Sequence, residues 1–399
     1  MDAVELTKKL VEIDSTDPGN FEIKIEHYIK EILEKLPKDK IKIFESEVFK
    51  GRINLMAVFS KDKNYVVEDV HDEVIFICHM DTVVVGDNWT MDAFHNNIVS
   101  GRIYGRGATD MKSGLATALT VFSYIVENYN NDELKKDFKV IFTVDEEANM
   151  KGVEKVISDK WVHKDSFICD LEPTDKMIQV SHKGRFWVKL NVEGKTAHAS
   201  RPELGIDANA VLAEIISYIR KEVSILPIDN ELGKTSVTFG LMSGGYQPYV
   251  VPDKSEVYMD FRLTPPTTNN DIIKIVEEAI NFAKKEINEN AKINYIITGD
   301  RAYVKKNDNS KFLASMINTL DKLYIEKNDE DYKPLVTFFS GYTDTAVIAS
   351  TIKNHETFSY GPGNLSLAHK PDEYVEIKDI KRCVEVYKRL IENIVVKDK

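Results

Sequence analysis

Residues Glu73–Thr82 read EVIFICHMDT: five apolar residues in unbroken succession, Val74 to Cys78, that stop on His79, Met80, Asp81 and Thr82. A short apolar run without polar alternation, bounded by polar residues, suits a strand buried on both faces, as in the middle of a parallel sheet. Its last residues carry the interest, because in open α/β sheets functional groups gather beyond the carboxyl ends of the strands. This strand ends on an imidazole with a carboxylate two residues later. Two further runs have the same form. Lys139–Val144 leads into Asp145-Glu146-Glu147, and Phe167–Leu171 leads through Asp170 to Glu172-Pro173-Thr174.

Outward from these runs, helical spacing covers Leu6–Leu36, broken at Thr16-Asp17-Pro18-Gly19, and Met111–Tyr129; Asn54–Ser60 is another strand. From about His182 the rhythm changes to alternating strands (Phe186–Glu193, Thr235–Leu241, Glu256–Leu263, Lys292–Thr298) with helices near Asp207–Val223 and Asn270–Asn288. That βαββαβ order suits a small α+β sandwich. After Gly299 the α/β pattern returns, ending in a helix over Ile377–Val395. The expected fold is α/β, with a mixed, mostly parallel sheet and helices on both faces. It comprises residues 1–181 and 294–399, with an α+β domain, residues 182–293, inserted.

The chain has 399 residues, enough for two or three domains, and its 43% apolar content supports a sizeable core. With 53 basic and 65 acidic residues the net charge is −12, which argues against general binding to nucleic acid or anionic membranes. No apolar run nears the ~18 residues of a membrane span, and MDAVELTKKLVEID is a charged helix start rather than a signal peptide. Cys78, Cys169 and Cys383 are too scattered for a disulfide framework or a CxxC site, so the expected compartment is the cytoplasm.

Imidazole and carboxylate gathered at sheet ends are the ligand types of zinc and its neighbours. Gly105-Arg106-Gly107-Ala108-Thr109-Asp110 and Ala368-His369-Lys370-Pro371-Asp372-Glu373 add to them. Taken singly, each piece has a plain alternative. His79 suits a hydrogen-bonded structural role, Asp145–Glu147 a solvated loop, and the glycine and proline near His369 a turn. The Gly105-x-Gly107 pair could open a dinucleotide loop, but Asp110 stands where that fingerprint has its third glycine and would repel a pyrophosphate. No GxSxG, HExxH or GxxxxGK[ST] string is present. His71, His95, His163, His182 and His355 suit structural or surface roles.

The string HMDTVVVGDNWTMDAFHNNIVSGRIYGRGATDMKSG, His79–Gly114, resembles a family of dizinc metallopeptidases and deacylases. That family includes acetylornithine deacetylase, succinyl-diaminopimelate desuccinylase, aminoacylase and a glutamate carboxypeptidase. DEE at Asp145–Glu147, EPT at Glu172–Thr174, GKTAHASRPELGIDANA at Gly194–Ala210 and AHKPDEYVEI at Ala368–Ile377 follow in the family's order. The resemblance implies two Zn²⁺ per subunit, with Co²⁺ or Mn²⁺ as substitutes. Its ligands would be His79, Asp110, Glu147, Glu172 and His369, with Asp110 bridging; the sequence leaves open which carboxylate serves which ion. Asp81 would orient His79, Glu146 would be the general base, and the Asp110–Met111 peptide would be cis.

The first domain would then be the catalytic, metal-binding one and the inserted domain a lid and dimer surface. His198 would reach the active site of the partner in a homodimer. Arg262 would hold a substrate carboxylate, and Thr343 and Gly363 would help shape the pocket. Where the family has Asn-x-x-Pro, this chain has Tyr249-Val250-Val251-Pro252, so Tyr249 replaces a substrate-binding asparagine. The implied reaction is hydrolysis of an amide in a small N-acyl amino acid or short peptide. A dipeptidase or aminotripeptidase, a non-catalytic binding protein that keeps the fold, and an NAD-dependent oxidoreductase are the alternatives.

Overall fold

The computed structural model describes residues 1–62, 64–95 and 97–397. Strand Glu73–His79 lies inside an eight-stranded sheet of order Ile41–Phe49, Arg52–Phe59, Asp137–Thr143, Glu73–His79, Phe167–Asp170, Thr357–Ser359, Ile178–His182, Val336–Phe339. The four strands in the middle of that order run parallel, and antiparallel partners flank them. All seven residues of Glu73–His79 are buried, which requires cover on both faces. Val74, Phe76 and Cys78 join the main core with Leu115, Leu119 and Phe122 of helix Ser113–Asn128 and with Val386, Tyr387 and Leu390 of helix Ile377–Val395. Ile75 and Ile77 alternate to the opposite face. Burying a side chain such as Phe76 contributes about 1.5–3 kcal/mol relative to leaving it exposed.

Register carries the strand ends to one line. His79 pairs with Thr143 and Ile77 with Asp170, so Glu172, two residues beyond Asp170, comes level with His79. Ser359 pairs with Asp170 as well, which brings the Tyr360–Gly363 turn to the same edge.

At the other end of these strands sits a buried charge cluster. Lys139 Nζ lies 2.5 Å from Glu73 Oε2, with both side chains fully buried, and donates to the Trp161 carbonyl at 3.2 Å. Asp137 accepts from Ser60 Oγ and the Lys61 N–H, each at 2.9 Å, and faces His71 Nδ1 at 3.2 Å.

Two compact units emerge. The first comprises Met1–Val180, Lys306–Phe339 and Thr343 onward; the second is Ser181–Lys305 with Ser340–Tyr342. The second unit has a four-stranded antiparallel sheet of order Ser236–Gly244, Lys254–Leu263, Gly184–Glu193, Lys292–Arg301. Phe186, Val188, Leu190 and Val192 share one buried face with Val257, Met259 and Phe261, and pack against Val211, Ile215, Ile272 and Val276 of helices Ala208–Ser224 and Asn269–Glu286. Asp207 caps the first helix through the Asn209 and Ala210 N–H groups, and Thr268 with Asp271 forms a capping box on the second.

The expected boundary at 293/294 is corrected. It cuts strand Lys292–Arg301, which pairs along Gly184–Glu193, and the unit continues to Lys305. Strand Ile41–Phe49, helix Lys151–Ser158 and a small sheet of Asn97–Val99, Arg102–Tyr104 and Tyr374–Glu376 were not expected from sequence. Among the described residues no helix is long and apolar enough to cross a membrane.

Lys139→Met removes the cation and leaves the Glu73 carboxylate buried without it. The expected loss is about 3–5 kcal/mol of unfolding free energy, read as a lower denaturant midpoint.

Candidate metal centre

Strand Glu73–His79 delivers His79 to the carboxyl edge, where its ring is almost fully buried. Its Nδ1 hydrogen-bonds the main-chain oxygen of Asp81 at 2.9 Å, which leaves Nε2 to face outward. Nε2 is 3.2 Å from Asp110 Oδ1 and 3.6 Å from Glu172 Oε1. Asp110 comes from the turn entering helix Ser113–Asn128, and its peptide bond to Met111 is cis. Its second oxygen lies 3.4 Å from His369 Nε2, which also meets Glu147 Oε1 at 3.0 Å. Asp110 therefore stands between the two imidazoles, with Glu172 on the His79 side and Glu147 on the His369 side. Ligand atoms of His79, Glu146 and Glu172 fall within 4.8 Å of one another, as do those of His79, Asp110 and Glu147. His369 is half-exposed, whereas Asp110, Glu172 and His79 are buried.

The Asp145–Glu147 loop is held from beneath. The Asp81 carboxylate is 3.7 Å from the His79 ring and instead accepts the N–H groups of Glu146 at 3.2 Å and Glu147 at 3.0 Å. The expected orientation of His79 by Asp81 is thus supplied by its carbonyl, while its carboxylate fixes the loop carrying Glu146. Asp145 turns the chain with φ 65°, and its N–H donates to Glu22 Oε1 at 3.0 Å. Glu22 and Asp17 in turn share Arg52, at 2.6 Å from Asp17 Oδ2, whose guanidinium lies 4.5 Å from the Phe21 ring. Asp17, Glu22 and Asp81 also form an acidic trio, but Arg52 already supplies its cation.

The electrostatics describe a set of anions crowded together out of water. Burial raises Glu146 well above its ordinary range, with Glu147, Asp344 and Asp81 adding to the effect and His79 opposing it. Burial likewise raises Glu172, next to Asp110, and lifts Asp81 to about 8. Burial also raises Asp110, but hydrogen bonds from both imidazoles outweigh it and hold the carboxyl well below the usual range. His369 is pushed up to about 10 by its hydrogen bonds to Asp110 and Glu147. In His79, burial opposes protonation, yet Asp110, Glu172, Glu146 and Asp81 prevail and raise it. Imidazole nitrogens and buried carboxylate oxygens converging in this way form the donor set of zinc-like divalent cations, and the residues present fit such ions.

The remaining expected residues are dispersed. Thr343 is buried in the first unit, its Oγ1 2.8 Å from Thr345 Oγ1. Gly363 has φ 91°, and a Cβ there would stand 2.1 Å from Thr109 Oγ1, so it packs against the residue that precedes Asp110. His198, Tyr249 and Arg262 lie in the second unit. His198 is exposed, with Nδ1 2.9 Å from Ser200 Oγ. The Ala199 N–H donates to the Tyr249 carbonyl at 3.0 Å, and the Tyr249 side chain is exposed. Arg262 donates to Asp260 Oδ2 at 2.9 Å. Glu22, Arg52 and Arg106 were missed by sequence reasoning. The clearest signal for Glu22 was its place just after the Asp17-Pro18-Gly19 break.

The model of peptidase family M20/M25/M40 matches residues 75–393. A probable succinyl-diaminopimelate desuccinylase of Staphylococcus aureus is 27% identical over 417 aligned residues, covering 96% of this chain and 95% of its own. The crystal structure of a tripeptidase from S. aureus superposes with TM-score 0.78 at 21% identity, covering 98% of this chain and 97% of that one. A dinuclear metal-binding peptidase of Bacillus subtilis gives 0.70 at 14% identity, covering 98% and 97%.

Removing bound cations leaves this set of anions uncompensated. Exhaustive chelation is expected to lower the melting temperature and added Zn²⁺ to restore it; at a thousandfold excess over Kd the shift corresponds to about 4 kcal/mol. An unchanged melt, with no metal found by elemental analysis of untreated protein, would reject the metal centre.

Proposed function

Because this chain belongs to peptidase family M20/M25/M40, and is a hydrolase of that family, we propose that it cleaves the amide bond of a small N-acyl amino acid or short peptide at a two-zinc centre. The observation that carries the reading is the placement of Asp110 between His79 and His369, with a further carboxylate beside each imidazole. His79 and Glu172 would hold one ion and His369 and Glu147 the other, with Asp110 shared. Bound there, the two ions supply Lewis acidity toward the scissile carbonyl and a lowered pKa for the attacking water.

The protein's own groups do the rest. Glu146 is buried, lies with His79 and Glu172, and is carried on a loop whose N–H groups are pinned by Asp81. A carboxylate so placed takes the proton of the attacking water and returns it to the leaving nitrogen. Burial strips solvent from it, which favours accepting that proton. The resemblance to the desuccinylase over nearly the whole chain favours an N-acyl amino acid, and the tripeptidase shares the fold. A panel of N-acetyl and N-succinyl amino acids, dipeptides and tripeptides, assayed with Zn²⁺, Co²⁺ and Mn²⁺, separates the two substrate classes.

Glu146→Gln keeps shape and removes the base. Turnover is expected to fall by ~10²–10⁴-fold while elemental analysis still finds the wild-type metal content. Loss of metal together with activity would make Glu146 a ligand.

The exposed His198 is assigned to the neighbouring subunit's site in a homodimer formed through the second unit. Glu146→Ala and His198→Ala should then each be nearly inactive, yet complement each other when co-refolded. Random pairing makes half the dimers mixed, each with one intact site, so recovery should approach about a quarter of wild-type activity. No recovery would place His198 outside the partner's site.

A further inference from the structure

We propose that Arg106 and Glu373 form a positioning pair that assembles the His369 side of the metal centre, an inference resting on the two-zinc reading above. Glu373 follows His369 by four residues and is 1% exposed. Its Oε1 accepts the main-chain N–H groups of Thr109 at 2.9 Å and Asp110 at 3.1 Å. Its other oxygen pairs with Arg106 Nη1 at 2.5 Å. Arg106, also 1% exposed, extends Nη1 to the Lys370 carbonyl at 3.3 Å and Nη2 to the Val85 carbonyl at 2.9 Å. Its guanidinium lies 5.2 Å from the Trp89 ring.

One planar fork thus ties together three separate segments: the loop after Asp81, the turn that carries Asp110, and the loop that carries His369. Neighbouring bonds close the same junction. The Gly105 N–H donates to the Glu373 carbonyl at 2.9 Å, and Thr90 donates through its N–H and Oγ1 to the Asp372 carboxylate at 2.9 and 2.8 Å. His79 and Glu172 depend on none of this, because strands Glu73–His79 and Phe167–Asp170 place them directly. The centre therefore rests on two scaffolds: sheet register places His79 and Glu172, and a buried ion pair holds the His369 loop and the turn of the shared Asp110.

The chemistry requires a carboxylate at 373. Two N–H groups converge on one of its oxygens and a guanidinium on the other, so every facing group is a donor. A glutamine could accept on one side only, and its NH₂ would oppose Arg106 donor to donor. Ligand supports of this kind typically carry 10–100-fold in metal affinity when removed.

The test uses the full-length chain freed of metal, titrated with Co²⁺ and followed by visible absorption, with thermal melts of the metal-free forms to establish folding. Wild type should take up two equivalents. In folded Glu373→Gln one step should move to about 10–100-fold higher Co²⁺, the other, which feels only the shared Asp110, moving distinctly less, and Glu373→Asp should restore part of the loss. Where Glu373→Gln does not fold, Arg106→Lys serves. It keeps the charge but cannot reach both Val85 and Lys370, and the same single step should weaken. Both steps unmoved, or both weakened alike, would overturn the positioning role. A wild-type protein that binds no second Co²⁺ would overturn the two-zinc reading instead.

Discussion

Everything at this site follows from the burial of several carboxylates beside two imidazoles at one edge of a sheet. Carboxylates removed from water repel one another and lose hydration, so such a cluster persists only where positive charge and hydrogen-bond donors are arranged to meet it. Around His79 that arrangement is made by parallel strands whose register brings His79, Thr143 and Asp170 close to one line. Around Glu146 it is made by main-chain N–H groups aimed at Asp81, and beneath them by Arg52 between Asp17 and Glu22. The outer charges are satisfied within the protein. The inner ones converge on the space where divalent cations fit.

Much of this was legible in the sequence, for a physical reason. A fully buried parallel strand must be apolar along its whole length, so Val74–Cys78 announces itself, and the abrupt return of polar residues marks its end. The candidate ligands stand out because they sit at such ends and inside strings resembling a known family. What stayed hidden depends on distances along the chain that no period encodes. Glu22 and Arg52 meet across thirty residues, and Arg106 and Glu373 across far more. The three-residue strands Arg102–Tyr104 and Tyr374–Glu376 are too short to show alternation. Ile41–Phe49 mixes charged and apolar residues without regular alternation, which masks an edge strand.

The misplaced boundary has a similar origin. Lys292–Thr298 reads as the last strand of the βαββαβ order, yet the boundary at 293/294 cuts through it. Its partner is Gly184–Glu193, a hundred residues earlier, and that pairing runs on to Arg301, past where the sequence pattern ends. The role first given to Asp81 differed in a subtler way. The residue was rightly placed beside His79, but which of its oxygens does the orienting is a matter of backbone geometry.

The order of the chain imposes a schedule on the centre. Strand Thr357–Ser359 completes the parallel array beside Phe167–Asp170, yet it is synthesised only after the whole second unit has emerged. His369 and Glu373 come later still. A nascent chain can carry His79, Asp110, Glu147 and Glu172 for some two hundred residues without its second imidazole or the carboxylate that holds the Asp110 turn. The His369 arm is thus the last part of the candidate centre to be made, and because helix Ile377–Val395 follows it and covers the central strands, a truncation that reaches His369 removes core packing and the closing half of the centre together.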